Sequence, residues 1–415
     1  MRKLRVVAAA IGCLGVALVV ASCGGGGSSS SGGGSTAPAA SESGESSGTL
    51  TIGIVTPLTG EASSFGIAVK NATELAIDEI NEEGGIAGHQ LELEAVDAGE
   101  TPAENVNGMR QLTSAHPFAI TGPLLSASIF AEAPLAERAQ IPTFSGVLSP
   151  KVPEEGYEWL FDMRTNEAVQ GAAVVKYMTS TLKQPSEAKI GVLYANDELG
   201  KGALGVIEET AEEEGLEPPL ARPHEPAASN FTADLLAMEK AGVNELFLET
   251  YPGPISIVLK DLANSDYHPQ VWGNASLPLV THTYELVPPA VGAGTISAVD
   301  CLPELDGRPE VKEFVKTFEA KYKETPEFIA TWGYDAMELL KTATEAAGST
   351  DSNAVRDALA EIKDEPGMCQ PDYWADENLS LAHTTLIAEQ EKNGLKVLAK
   401  VKQEENGDMV LEDAE

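Results

Sequence analysis

Basic residues are scarce in this chain: Lys and Arg number 27 against 64 Asp and Glu, a formal net charge of −37. A surface of that sign repels phosphate backbones and argues against nucleic acid as a partner. Such acidity is more often a solubility feature than a site. Histidine is scarcer still, with six residues scattered along the chain and no paired metal spacing, so no metal is expected. Signatures of nucleophilic catalysis are missing too. There is no Gly-x-Ser-x-Gly, and Ser180-Thr181-Leu182-Lys183 has no Lys-Thr-Gly partner, because Lys341-Thr342 is followed by Ala343. Asp197-Glu198 reads as a solvated loop pair in preference to a general acid/base pair. No enzyme activity and no cofactor are expected. What remains, at 43% hydrophobic and 22% charged over 415 residues, is a globular body large enough for two or three domains.

The N-terminus is set apart from that body. Arg2, Lys3 and Arg5 precede the apolar run Val6 to Val20, and Val20-Ala21-Ser22-Cys23 ends it with small residues. This is an export signal, and its ending resembles a bacterial lipobox, which implies cleavage before Cys23 and lipid on the new N-terminal cysteine. An uncleaved N-terminal anchor is the alternative, since the run is near the lower length limit for a membrane span. Both readings put the protein outside the cell membrane and tethered to it. Residues 24–48 hold 18 Gly or Ser among 25 and cannot form a core. They read as a flexible tether with a coil dimension of roughly 25–30 Å.

From residue 49 the chain alternates strand and helix patterns. Leu50 to Val55 is a strand, and Val69, Ala72, Ala76 and Ile80 mark one face of a helix stopped at Gly84-Gly85. A strand over Leu91 to Val96 and a helix over Thr101 to Ser114 follow. Phe118 to Thr121, a helix opening at Ser126 with Pro134 inside it, and Ile141 to Phe144 make a βαβ unit. A second series begins near residue 170: helices over Val169 to Leu182, Gly202 to Glu214 and Gly253 to Asn264, and strands over Lys189 to Ala195, Glu245 to Thr250, Pro269 to Gly273 and Thr295 to Cys301. Helices over Pro309 to Lys323, Pro326 to Ala347 and Ser352 to Ile362 come next, then a hairpin turned at Lys392-Asn393-Gly394. The pattern is that of doubly wound parallel sheets, whose ligands bind beyond the carboxyl ends of the strands. Ser126 and Ser145 to Ser149 fall at that edge. Ser126 is either an ordinary N-cap or the start of a helix whose free N–H groups would hold an anion such as a carboxylate.

Gly200-Lys201-Gly202-Ala203-Leu204-Gly205 matches a dinucleotide fingerprint, and Glu225 lies twenty residues on. Asn196 to Leu199 nevertheless separate strand and first glycine, where a phosphate turn wants almost none. These glycines are read as letting a helix start near the cleft.

IGIVTPLTG and ELAIDEINEEGGIAGHQLELEAVDAGETP, within residues 50–110, resemble the type I solute-binding proteins of ATP-driven importers, the leucine/isoleucine/valine-binding family. GPLLSAS (122–128), SGVLSP (145–150), RTNEAVQG (164–171), KIGVLYANDELGKG (189–202) and WGYDAMELL (332–340) extend the match over essentially all of 49–415. The resemblance implies a periplasmic-binding-protein-like type I α/β fold of two doubly wound, Rossmann-like lobes joined by three crossover segments. Residues 49–165 plus 302–369 would form lobe one and residues 166–301 plus 370–415 lobe two, after a signal over 1–22 and a lipidated tether over 23–48. It also implies a ligand-binding set, carried over one residue at a time. Phe65 lines the cleft before Gly66. Ser126 meets a ligand carboxylate, Val147 contributes its backbone and Ser149 its hydroxyl. Leu199 stands where the family has an aromatic, and Tyr251 matches the family tyrosine. Ala275 stands where the family has the acid that pairs with an amino group. Cys301 and Cys369 fall at crossover segments. With Cys13 lost in the signal and Cys23 lipidated they are the only thiols left, and a disulfide between them is expected.

The function implied is capture of a small molecule (an amino acid, an amide or a small carboxylate) by a monomer that delivers it to the permease subunits of an ABC importer. The alternative is a tethered sensor that signals to a membrane receptor by the same lobe closure. Without an acid at Ala275, a small carboxylate or amide with an apolar body is favoured over a free branched-chain amino acid. An inward-turned Glu249 would reverse that preference.

Overall fold

The computed structural model describes residues 48–60, 62–99, 101–277 and 286–413. The proposed signal, Cys23 and all but the last residue of the tether lie outside the described residues. Ser46–Glu415 form one compact unit.

The first sheet has the order β2-β1-β3-β4-β5, all parallel: β1 (Leu50–Thr56), β2 (Leu91–Asp97), β3 (Ala119–Thr121), β4 (Thr143–Ser145) and β5 (Leu160–Asp162). Helices α1 (Ser63–Glu82), α2 (Pro102–Ala115) and α3 (Ile129–Ala139) connect the first four strands. Strand alternation decides which face each helix covers. Ile52 and Ile54 turn toward α1, whereas Val55 turns toward α2, where it meets Met109 and Leu112. A Thr101–Glu104 capping box starts α2. Because β1 lies between β2 and β3, the winding reverses direction there, and the crevice beyond the carboxyl ends of β1 and β3 is open to a ligand.

The second sheet has eight strands, ordered β13-β12-β11-β10-β9-β8-β6-β7. Its parallel part is β6 (Ile190–Ala195), β7 (Leu220–His224), β8 (Glu245–Glu249), β9 (Gln270–Gly273) and β10 (Ile296–Val299). Helices α4 (Glu167–Thr181) and α5 (Glu198–Glu213) cover one face, and α6 (Thr232–Ala241) and α7 (Pro252–Ala263) the other. A one-turn helix, α8 (Pro289–Gly292), precedes β10. The antiparallel part, β11 (Thr384–Glu391), β12 (Gly394–Gln403) and β13 (Met409–Asp413), is added after the chain has returned to the first sheet. There α9 (Pro309–Tyr322) and α10 (Phe328–Ala347) share α1's apolar cluster, and α11 (Ser352–Leu359) packs behind them. The chain thus forms two α/β lobes joined by crossover segments, as the resemblance implies.

Five elements among the described residues are not anticipated, the one-turn α8 being one of them. β5 is three residues long and shows no alternation. β7 contains Pro223, tolerated because β7 is the edge of its sheet. α6 and the acidic edge strand β13 also escaped notice. Two helix starts need correction. α3 begins at Ile129 and not at Ser126. α5 begins at Glu198 and not at Gly202, because Asp197 caps it by accepting a bond from Gly200 N. Gly200 is required there, since a Cβ would stand 2.2 Å from Ala195 O.

Candidate functional site

On the first lobe, the turn after β1 is pressed against α1. A Cβ at Gly66 would lie 1.8 Å from Pro57 O, so only glycine lets the first turn of α1 sit on the strand end. Phe65, just before it, is half-buried against the lobe's core. Ser126 is buried in the turn ahead of α3, and its Oγ accepts a 3.2 Å bond from Leu148 N. Neither sequence reading of Ser126 holds in full: it does not cap α3, and the amides at the start of that helix, Ser128 N and Ile129 N, both donate to Leu125 O. It ties the loop after β3 to the loop after β4. Val147 is fully buried among Ile129, Ala133 and Leu160, so its backbone is what it can offer a ligand. Ser149 is also fully buried and accepts a long 3.4 Å bond from Lys151 N.

Trp332 opens the WGYDAMELL stretch (332–340), and nothing in the sequence assigns it to the site. A Cβ at Gly146 would lie 2.7 Å from its ring, so the β4 loop lies flat on the indole. The Trp332 N–H is buried and has no acceptor among the described residues, and the hydroxyls of Thr56 and Thr121, at the carboxyl ends of β1 and β3, are likewise unpartnered. The first lobe's unpartnered atoms are of both kinds, since Asp162 Oδ2 at the end of β5 is without a partner too.

The second lobe presents acids. Tyr251 follows β8 and donates a 2.7 Å bond to Asp197 Oδ2; burial and that carboxylate push its phenol far above the ordinary range. Leu199 is buried in the first turn of α5, and Ala275 is buried in the cluster that contains Val299 and Cys301. Glu249 ends β8 with its side chain turned inward, 2% exposed, and Glu167 opens α4 at 1%. Glu249 Oε2 and Glu167 Oε1 have no hydrogen-bond partner among the described residues. Burial, then proximity to Glu167, raises Glu249 well above the usual carboxylate range, against a hydrogen bond from Asn274. Burial raises Glu167 as well, opposed by Arg164 and reinforced by Asp300.

The β4 loop carries the two lobes into contact. Glu167 N donates to Leu148 O at 2.8 Å, Lys151 pairs with Glu198 at 2.9 Å, and Gly202 faces Pro150 so closely that a Cβ would stand 2.7 Å from its Cδ. The glycines of the apparent dinucleotide motif are thus a site of close approach between lobes. Behind this contact the crossover segments converge. Arg164 meets Asp300 through Nε at 2.9 Å and Nη2 at 2.7 Å, donates through Nη1 to Gly146 O, and lies over the Phe328 ring. Asp300 Oδ1 receives Thr165 N, Thr165 Oγ1 and Gln170 Nε2. Cys301 and Cys369 form a disulfide with Cα atoms 5.2 Å apart.

The sequence pattern of the periplasmic binding protein family matches residues 49–395. Leu/Ile/Val-binding protein homolog 3 of Brucella melitensis biotype 1 is 23% identical over 308 residues, which are 74% of this chain and 81% of that protein. The LivJ substrate-binding protein of Streptococcus pneumoniae, solved in complex with isoleucine, superposes with a TM-score of 0.75 at 22% identity, covering 84% of this chain and 99% of LivJ. A solute-binding protein of an ABC transporter from R. palustris, solved with benzoate, superposes with a TM-score of 0.73 at 18% identity, covering 84% of this chain and 95% of that one. A shared pattern over nearly the whole folded body, joined to two wound lobes that meet at their strand ends, makes this chain a member of the periplasmic binding protein family.

Proposed function

We propose that the protein captures an amino acid or a small carboxylate between its lobes and delivers it to the permease of an ABC importer. The observation that carries this reading is the β4 loop. It belongs to the first sheet, touches α4 and α5 of the second, and runs between buried polar atoms that lack protein partners on both sides. Such atoms are costly to bury unless something else satisfies them. Phe65, Ser126, Val147, Ser149, Leu199, Tyr251 and Ala275 are the proposed wall of that site. The isoleucine and benzoate bound to the two similar structures support these ligand classes. Hinge bending at the crossovers near residues 166, 301 and 370 would open and close the cleft, and the closed form is the one a permease recognises.

A thermal-shift screen with amino acids and small carboxylates tests this. A ligand at about 100 times its Kd adds about 2.7 kcal/mol, a rise of about 3 °C for a body of this size. Gly202→Leu should hold the lobes apart at Pro150 and weaken the same ligand roughly 5- to 150-fold, the effect of about 1–3 kcal/mol of overpacking. A panel in which nothing raises the wild-type midpoint would remove the ligand class, and unchanged affinity in Gly202→Leu would remove the closure.

The export signal places this activity on the outer face of the cell membrane, with Cys23 as the lipid-bearing residue. Cys23→Ser should then appear in the medium or keep its signal. Membrane fractionation and migration identical to wild type would count against the anchor.

A further inference from the structure

We propose that Arg164 is a positioning residue of the binding site: it ties the β4 loop to the hinge and thereby sets where Val147 and Ser149 stand in the cleft. The proposal rests on the reading that the cleft binds a small molecule, and it names the side chain that fixes one wall of that cleft.

Arg164 lies two residues beyond β5, where the chain leaves the first lobe. Its guanidinium is planar, and its donors point in fixed directions. Nε donates to Asp300 Oδ2 at 2.9 Å, and Nη2 stands 2.7 Å from the same oxygen. Nη1 donates to Gly146 O at 3.3 Å. One rigid group therefore joins the first crossover, the second crossover and the loop. The Phe328 ring lies against it, and the side chain is buried, so water cannot take the place of either acceptor.

The loop is held on both sides of the residue that matters. Gly146 N donates to Pro123 O at 2.9 Å and Leu148 N to Ser126 Oγ at 3.2 Å, which anchors the loop to its own lobe. The carbonyls of the same two residues are both taken by the stretch that leaves the lobe, Gly146 O by Arg164 Nη1 and Leu148 O by Glu167 N. Val147 lies between them. Its N–H and C=O make no hydrogen bond among the described residues, although the residue is fully buried. Buried backbone groups are nearly always paired, so those of Val147 are the ones left to a ligand, and the bonds at 146 and 148 decide where they point. Of those bonds, the one from Arg164 comes from a side chain that is also bound to the second crossover. Asp300 itself makes no hydrogen bond to the loop; its partners are Arg164, Thr165 and Gln170.

Hydrogen exchange of the ligand-free protein, read by mass spectrometry, tests the tie. Arg164→Lys keeps a charge beside Asp300 but loses the fork that reaches Gly146 O. The amides of residues 146–148 should exchange roughly 10-fold faster, while those of β6 and β8 keep their wild-type rates. Titration calorimetry with L-isoleucine and benzoate should show the variant binding roughly 10-fold more weakly whichever of them wild type binds, the scale of one hydrogen bond to a charged group. Asp300→Asn, altered at a residue that reaches the loop through Arg164, should shift both readings the same way by smaller factors, and it carries the test should Arg164→Lys not fold. Unchanged exchange at 146–148 would overturn the proposal. So would exchange that quickens evenly across both lobes, the mark of a merely structural role, or a loosened loop with wild-type affinity. Failure of both compounds to bind wild type would remove the binding reading, and the exchange rates would still uphold or overturn the tie.

Discussion

Arg164→Met should lower the stability of the protein by about 3–5 kcal/mol, the usual cost of removing one member of a buried ion pair. Arg164 is 5% exposed and Asp300 3%, so the stranded carboxylate has no water to turn to. Arg164 also favours the ionised forms of both Glu167 and Asp162 against the upward push of burial, so its loss leaves three buried acids around one crossover. Replacing the pair as a unit, Arg164→Met with Asp300→Leu, should recover only part of the loss. An apolar pair can match a buried ionic one, but Thr165 N and Thr165 Oγ1 would still lose their Asp300 acceptor. Salt should change these differences little, since buried charges are poorly screened. Urea unfolding followed by tryptophan fluorescence reads the effect. A loss below about 1 kcal/mol in the single variant, the scale of an exposed pair, would mean that the hinge does not depend on this contact.

The second large effect concerns the disulfide. Cys301 and Cys369 are 68 positions apart, and closing such a loop is worth about 4 kcal/mol in the chain-entropy model. For a body of this length that is about 5 °C in Tm. The double Cys301→Ala, Cys369→Ala variant should lose somewhat less, because the ends of the loop are held together in other ways. Asp335 accepts bonds from Met368 N, Cys369 N and Tyr373 OH, which anchors the 369 segment to α10 whether or not the sulfur bridge exists. Wild type unfolded without reductant should show no free thiol at either position. Identical melting curves with and without reductant would show that the bond contributes nothing.

Much of the fold was legible because its long elements are strongly patterned: the i, i+3, i+4 spacing of α1 and the alternating Leu91 to Val96 each admit one reading. What escaped was short or interrupted. β5 has three residues, too few for any period, and β7 carries a proline that an interior strand would not tolerate. At the site, the sequence reads Gly202 as a helix start near a cleft; the helix starts at Glu198 instead, and the need for glycine at 202 comes from Pro150. Ser126 misled because serine is common at helix starts, and the loop-to-loop bond it makes with Leu148 leaves no trace in local sequence. Glu249 could be named in advance but not oriented, since its direction depends on which face of β8 meets α4. Trp332 could not be singled out at all. It reaches the β4 loop from a helix more than 180 residues later, and only tertiary packing brings them together.

One helix of the first lobe's core is made long after the sheet and the helix it packs with. Thr73 Oγ1 of α1 bonds to Gly333 O of α10 across 260 positions. The last parallel strand of the second sheet likewise waits for β11, which pairs with β10 only after some 85 further residues. At about 5–20 residues per second, synthesis delivers α10 roughly 13–50 s after α1. During that interval Ile52 and Ile54 have only α1 over them, Leu75 and Ile80 wait for α10, and the cluster these residues share cannot close. Contacts of such range also make folding slow once the chain is complete. The protein therefore spends its early life as an unfinished, apolar-faced chain, a state suited to passage through a translocation pore and exposed to aggregation wherever that passage is delayed.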